Sequence, residues 1–216
     1  MIIVFINNLE TNNNRDLMKD LWNQRFSSKE YAYGTEPNAF FKEQISKLTQ
    51  GRLLLLGEGE GRNAVYAAKN GWTVDAYDWS EEAKIKALKL ARANNCMIDY
   101  KVEDLINLIL HFDMYDAVGL IYLHLDEELR ESVHSKVIKT LKPGGRVILE
   151  AYAKEQLKYN SGGPKDIELL YSLEDAVTDF NKLNYEILSK EIVNLSEGEL
   201  HQGEAIVIRM VGVKEA

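Results

Sequence analysis

Cysteine is almost missing from this sequence: there is one, Cys96, in 216 residues. A single thiol excludes an internal disulfide and a cysteine-rich zinc site, and it fits a reducing compartment. Its place between a helical stretch and a strand predicts a buried, inert thiol. Basic residues are in deficit as well: the formal net charge is −8, and no run of Lys or Arg stands out. A chain that gripped nucleic acid through its phosphates would need the opposite sign, so nucleic acid is not expected as a partner. Long apolar runs are also lacking. The opening MIIVFI has six apolar residues and no basic flank, and no other stretch approaches the roughly 20 residues of a membrane-spanning helix. The expectation is a soluble, cytoplasmic protein with neither secretion signal nor membrane contact.

What is present suits a globular domain. Apolar residues make up 45% of the chain and charged residues 28%, enough for a full core, and the length fits one α/β domain. Residues 1–17 end in the polar, asparagine-rich NNLETNNNRDL and read as a loosely attached extension; 18–216 read as a single domain. Two short helices are expected on either side of YGTEP, carrying Trp22 and Phe26, then Phe40, Phe41, Ile45 and Leu48. Arg52–Leu56 is a continuous apolar run between glycines, the pattern of a strand buried on both faces. Strands WTVDAY, MIDYKV, YDAVGLIYL and RVILEAY follow, separated by helices that begin at Arg62, after the cap Ser80 and after the cap Asp126. Lys142-Pro143-Gly144-Gly145 reads as a tight turn and Ser172–Asp175 as a capping box. The chain closes with two long strands around SEGE, an antiparallel hairpin. Alternating strands and helices imply right-handed crossovers and a mostly parallel sheet.

In such sheets ligands bind beyond the carboxyl ends of the strands, and the turn after the first strand is the usual place. Here that turn is GEGEGRN, with Gly57, Gly59 and Gly61 interleaved by Glu58 and Glu60. A P-loop would need Gly-Lys-Ser/Thr, and a dinucleotide fingerprint would need its third glycine one residue later. Two carboxylates would also repel a pyrophosphate. A phosphate-free, cationic ligand avoids both objections, and S-adenosylmethionine is one. Asp78, ending the second strand, is placed to accept from ribose hydroxyls, with Trp79 beside it for the adenine face. After the third strand, Asp104 can accept from an adenine amino group and Leu105 can offer its amide.

LLLLGEGEGRNAVYAAKNGWTVDAYDWS, VEDL, YDAVGLIYLHL and LKPGGRVILEAY resemble the successive motifs of class I S-adenosylmethionine-dependent methyltransferases. With WNQRFSSKEYAYGTEPNAFF in front, the sequence is most similar to bacterial enzymes of the tellurite-resistance and thiopurine-methyltransferase type. The resemblance covers residues 18–213. It implies a Rossmann-like seven-stranded sheet in the order 3-2-1-4-5-7-6, with strand seven antiparallel and helices on both faces. It implies S-adenosylmethionine as cofactor, no metal, and a small-molecule methyl acceptor such as a thiol or another chalcogen nucleophile. The cofactor-site residues that follow are Trp22, Tyr33, Gly34, Gly57, Glu58, Gly59, Gly61, Asn63, Asp78, Trp79, Glu103, Asp104, Leu105, Leu120 and Ile121. There is one departure: Leu55 stands where these enzymes commonly carry an acidic residue for the cofactor's amino group. Glu58 or Glu60 is the expected replacement.

Methyl transfer is an in-line displacement at an activated carbon, so alignment is the protein's main task and no particular catalytic residue is required. A base is needed only where the acceptor must lose a proton. His124, Glu150, Tyr152 and His201 are the candidates for the acceptor side, and Asn160–Lys165 is a candidate lid. A nicotinamide-dependent oxidoreductase and a cofactor-binding sensor without turnover are the alternatives. A monomer or homodimer is expected.

Overall fold

The computed structural model describes residue 15 and residues 17–215. The elements run α1 (17–26), α2 (Ala39–Ile45), β1 (Arg52–Leu56), α3 (Arg62–Lys69), β2 (Thr73–Asp78), α4 (Glu81–Ala93) and β3 (Asp99–Val102). They continue with β4 (Tyr115–Ile121), α5 (Glu127–Thr140), β5 (Leu141–Tyr152), α6 (Leu173–Asp179), β6 (Leu183–Glu197) and β7 (His201–Lys214). The seven strands form one sheet in the order β3-β2-β1-β4-β5-β7-β6, as expected. The β1–β2, β1–β4, β2–β3 and β4–β5 pairs are parallel, and β7 is antiparallel to both its neighbours.

Alternation along β1 explains its four leucines. Successive side chains of a strand point to opposite faces, and both faces here are covered. Leu54 and Leu56 pack with Val133 and Val137 of α5; Leu53 and Leu55 pack with Phe41, Ile45, Ala64 and Ala87 from α2, α3 and α4. None of the four leucines is more than 1% exposed. The helix caps read from sequence are formed: Ser80 accepts from Ala83 N–H, Asp126 from Leu129 N–H, and Ser172 with Asp175 makes a capping box.

The structure corrects several boundaries. The Lys142–Gly145 stretch is a bulge within β5 rather than a turn between elements: Tyr115 pairs with Leu141 but Ala117 with Arg146, and Gly144 sits at φ +77°. The third strand starts at Asp99, leaving Met97 90% exposed, and Cys96 is half-buried against carbonyls rather than fully enclosed. The loop after β5 is not structureless. It holds helical turns at Lys154–Lys158 and Ile167–Leu169, and Gln156 pins it by donating to Ser161 Oγ (2.9 Å) and accepting from Ile206 N–H (2.9 Å). The domain boundary between 17 and 18 passes through a helix, because Arg15 and Leu17 are already helical. MIIVFI and the asparagine-rich segment lie outside the described residues.

Between α5 and α6 a buried charge cluster ties the sheet's flank together. Asp179 accepts from Arg130 Nε (2.8 Å) and His134 Nδ1 (2.8 Å), and its side chain is fully buried. Burial raises the Asp179 carboxyl, but the hydrogen bonds from His134 and Arg130 outweigh it and hold the group below the usual range. Removing one partner of such a cluster strands the other charge. Asp179→Ala should therefore cost about 3–5 kcal/mol in urea unfolding, whereas Glu186→Ala, which breaks a more exposed pair with Arg146, should cost about 0–1 kcal/mol. Equal effects would remove the cluster from the stability account.

Candidate active site

The turn between β1 and α3 lies at the carboxyl edge of the sheet. Gly57, Gly59 and Gly61 adopt φ of +65°, +59° and +89°, a region where only glycine is unstrained. At Gly61 space adds a second constraint, since a Cβ there would stand 2.6 Å from the Ala87 Cβ where α3 meets α4. The two glutamates of the turn both have partners within the protein. Glu58 Oε1 accepts from Ala64 N–H (2.7 Å), closing the first turn of α3, and burial pushes its carboxyl up to about 7 against that hydrogen bond. Glu60 lies against the Lys86 ammonium, which also donates to the carbonyls of Ser28 (3.0 Å) and Glu30. These pairings correct the charge argument drawn from the sequence: the glutamates bind the turn to α3, to α4 and to the segment after α1.

Asp78 ends β2 directly against this turn. Its Oδ2 accepts from Gly59 N–H and its Oδ1 from Ser80 N–H, each at 3.0 Å. A carboxylate has four lone-pair sites, so two bonds leave it able to accept two more. Burial dominates its titration and pushes it up to about 6, opposed by the backbone donors. Tyr100 donates to Gly59 O (2.6 Å), fixing the turn from below. Glu103 is exposed and holds Asp78 O through its N–H; Leu105, Leu120 and Ile121 are buried at the same edge, and Trp79 is half-buried. Asp104 accepts from Ile106 N–H (3.1 Å) and is gripped by Arg15 through two nitrogens at 2.5 and 3.2 Å.

Helix α1 forms a roof over the turn. Trp22 stacks on Phe26 at 5.4 Å, Phe26 comes within 3.4 Å of where a Cβ on Gly59 would stand, and Asn23 accepts from Ser80 Oγ (2.7 Å). Tyr33 and Gly34 follow. Their backbone meets the tip of the β6–β7 hairpin so closely that a Cβ on Gly198 would lie 2.5 Å from Gly34 N. Asn63, in the first turn of α3, accepts from Asn38 N–H through its Oδ1 (2.9 Å).

The four acceptor-side candidates separate once their partners are known. His124 is neutral and fully engaged: Nδ1 lies 2.8 Å from Leu169 O, Nε2 lies 3.4 Å from Tyr152 N, and burial pushes its pKa down to about 4. Glu150 is buried between Arg209 Nε (2.6 Å) and Asn38 Nδ2 (2.6 Å). Tyr152 lies 4.6 Å from the Tyr122 ring in a stacked pair, its hydroxyl 3.4 Å from Ser161 O. His201 is edge-on to Tyr122 (4.7 Å) and Tyr152 (5.4 Å) and lies 4.5 Å from Tyr33. Its Nδ1 sits 3.5 Å from Glu197 Oε2.

Sequence reasoning missed Tyr122, Asn38, Arg62 and Glu197. Tyr122 directly follows β4 at φ +54°, strained for a bulky residue, and its buried hydroxyl has no hydrogen-bond partner among the described residues. Arg62 Nη1 pairs with Glu197 Oε2 (2.9 Å), and Asn38 Nδ2 donates to Glu197 Oε1 (3.0 Å). Burial raises Glu197, but His201, Arg62 and their hydrogen bonds outweigh it and hold the carboxyl at about 2. Of these four only Asn38 gave a sequence signal, as an N-cap residue after Pro37. An open groove of about 770 Å³ lies at the opposite end of the strands beside Trp72, Asp75 and Cys96, away from this chemistry.

Residues 53–145 match the model of a methyltransferase domain, while no curated protein matches the sequence. Several solved structures share the fold. One, from work on the conversion of a disulfide bond into a thioacetal group during echinomycin biosynthesis, is 16% identical over 92% of each chain, with a TM-score of 0.71. TehB from Haemophilus influenzae is 14% identical over 91% of this chain and 67% of its own, with a TM-score of 0.68. An S-adenosylmethionine-dependent methyltransferase from Methanosarcina mazei is 16% identical over 83% of this chain and 99% of its own, with a TM-score of 0.65. At these identities the likeness is one of fold: the chain has the seven-stranded Rossmann-like architecture of S-adenosylmethionine-dependent methyltransferases, with a methyltransferase-domain match over its central residues.

Proposed function

We propose that this protein is an S-adenosylmethionine-dependent methyltransferase acting on a small-molecule nucleophile, a thiol or similar chalcogen acceptor. The observation that carries the reading is Asp78: within the methyltransferase-domain match it ends β2 against the glycine turn, with lone pairs left for ribose hydroxyls. The turn suits a ligand without phosphates. Its nearby cations are already neutralised, Lys86 by Glu60 and Arg62 by Glu197, so neither is free for a pyrophosphate. Asp104 and Leu105 would meet the adenine edge, and Trp22 and Phe26 would cover the nucleoside. Bound there, the cofactor supplies an activated methyl group. The chain's part is to hold that methyl in line with the acceptor and keep water out, and positioning of this kind is worth about 7–11 kcal/mol. The roof of α1, the Tyr33–Gly34 turn and the 197–200 hairpin tip provide the enclosure. The likeness to a structure from work on converting a disulfide bond into a thioacetal group favours a chalcogen acceptor.

S-adenosylhomocysteine should bind and raise the melting temperature, with a stabilisation of about 2.7 kcal/mol at a hundredfold excess over Kd. Calorimetry that detects NADH binding but neither S-adenosyl ligand would overturn the reading.

Asp78→Ala should weaken S-adenosylhomocysteine binding by about 1–3 kcal/mol, because two ribose hydroxyls lose their acceptor. The same residue predicts a pH dependence. Ribose donors favour the ionised carboxylate, so binding lowers a pKa that stands at about 6 in the free protein. Affinity should therefore rise as pH increases toward about 6, level off above it, and lose this dependence in Asp78→Asn. A wild-type affinity in folded Asp78→Ala would remove Asp78 from the site.

A further inference from the structure

One cluster at the carboxyl edge is not explained by cofactor binding. His201 starts β7 and is only 5% exposed, enclosed by the rings of Tyr33, Tyr122 and Tyr152. Its Nδ1 faces Glu197, whose two oxygens are held by Arg62 and Asn38, so the carboxylate has a fixed direction. Its Nε2 has no hydrogen-bond partner among the described residues, in contrast to His124, where both nitrogens have close backbone neighbours. A carboxylate on Nδ1 holds a proton there and leaves Nε2 as the acceptor, the arrangement that makes a histidine a general base. The surrounding rings present faces and edges with no free charge, a surface for a soft, uncharged group rather than for an anion. Tyr122 brings its unpartnered hydroxyl and its strained backbone to the same place.

We propose that His201, positioned by Glu197, removes the proton from a protic chalcogen acceptor, a thiol that is neutral at pH 7, seated against Tyr33, Tyr122 and Tyr152. This rests on the methyltransferase reading and names the acceptor class and the base. For a thiol, the S–H bond gives its proton to His201 Nε2 while the sulfur forms a bond to the methyl carbon. The methyl–sulfonium bond breaks with its electron pair returning to the cofactor sulfur. The products are a methyl thioether, S-adenosylhomocysteine and protonated His201, so charge and atoms balance. The groups facing His201 are Glu197 on β6, Glu150 and Tyr152 on β5, Arg62 on α3, Tyr122 after β4, Tyr33 before α2 and, farther off, His124. Burial lowers its pKa first, Arg62 adds to that, and the Glu197 and Glu150 carboxylates oppose it; the net shift is downward. The imidazole is therefore neutral at pH 7, the form a base needs.

The test uses the full chain, radiolabelled S-adenosylmethionine and two probe thiols. Benzyl mercaptan is protonated at pH 7, and 4-nitrobenzenethiol is already ionised. His201→Gln should lose about 10²-fold or more on benzyl mercaptan, at most a few-fold on 4-nitrobenzenethiol, and should keep wild-type S-adenosylhomocysteine affinity. Glu197→Gln should move the acid limb of kcat/KM for benzyl mercaptan to lower pH, since the carboxylate that favours imidazolium is gone. The same shift should appear in the NMR titration of the His201 ring without cofactor. Equal losses on both thiols, or an unmoved His201 titration in folded Glu197→Gln, would overturn the assignment. Binding of S-adenosylhomocysteine with no methylation of either thiol would overturn the acceptor class alone. Failure to bind S-adenosylhomocysteine would instead take down the methyltransferase reading beneath it.

Discussion

Two carboxylates, the buried Glu150 and the largely enclosed Glu197, sit at the carboxyl edge of the sheet, and each must find hydrogen-bond donors there or lose free energy to desolvation. The residue they share is Asn38. Its amide donates to both, its Oδ1 accepts from Phe41 N–H to cap α2, and its own N–H donates to Asn63 at the start of α3. One side chain thus joins α2, α3, β5 and the end of β6. Arg209 and Arg62 complete the charge balance, one on each carboxylate. The position of the hairpin tip over the Tyr33–Gly34 turn follows from this junction, and the backbone contact between Gly34 and Gly198 is possible only because neither carries a Cβ. The enclosure of the edge is therefore set by buried polar groups. The apolar core fixes the sheet, and the polar junction fixes what lies across its end.

The glycine turn obeys the same rule. Glu58 and Glu60 are too buried to be left to solvent, so each is given a structural partner: a helix amide for one and the Lys86 ammonium for the other. Lys86 extends the link to the carbonyls of Ser28 and Glu30, so the segment leading from α1 is fastened to the cofactor turn through α4. Arg15 adds a second fastening at Asp104. The two acidic residues that would meet an adenosine are thus treated differently. Asp78 is braced by backbone N–H groups and keeps free lone pairs, whereas Asp104 is held by a side chain from the roof itself.

The sheet was legible in the sequence because its signals are local. The leucine run between glycines, the serine and aspartate caps, and the terminal pair of long strands each declare themselves within a few residues, and the strand order followed from the family resemblance. Position was legible where a strand end determined it: Asp78 ends β2 and Asp104 follows β3. A side chain's role was not legible where it depends on a partner far away in the chain. Glu58 and Glu60 invited a ligand because the sequence hides Lys86 and the geometry of α3. Glu197 looked like a turn residue because Arg62 and Asn38 are 135 and 159 positions away. His124 and His201 are alike in sequence, and only their neighbours, two backbone groups for one and a carboxylate for the other, tell them apart.

That division also explains why the match to a methyltransferase domain says little about the acceptor. The matched residues, 53–145, contain the glycine turn, Asp78, Asp104 and the end of β4, which together make the proposed cofactor half of the edge. The opposite half comes almost wholly from outside them: Tyr33 and Asn38 before, Glu150, Tyr152, Glu197 and His201 after. Tyr122 is the point of contact between the halves. It belongs to the matched segment, follows β4, the strand that pairs with β1, and packs its ring against Tyr152 and His201. A positive φ at a tyrosine costs of order 1–3 kcal/mol, and here the Tyr122 N–H bond to Glu150 O (2.7 Å) and the ring contacts hold it in place. With that φ the ring lies across the end of the sheet against Tyr152 and His201, and in the proposed reaction this is where cofactor and acceptor would have to meet for a methyl group to pass in line between them.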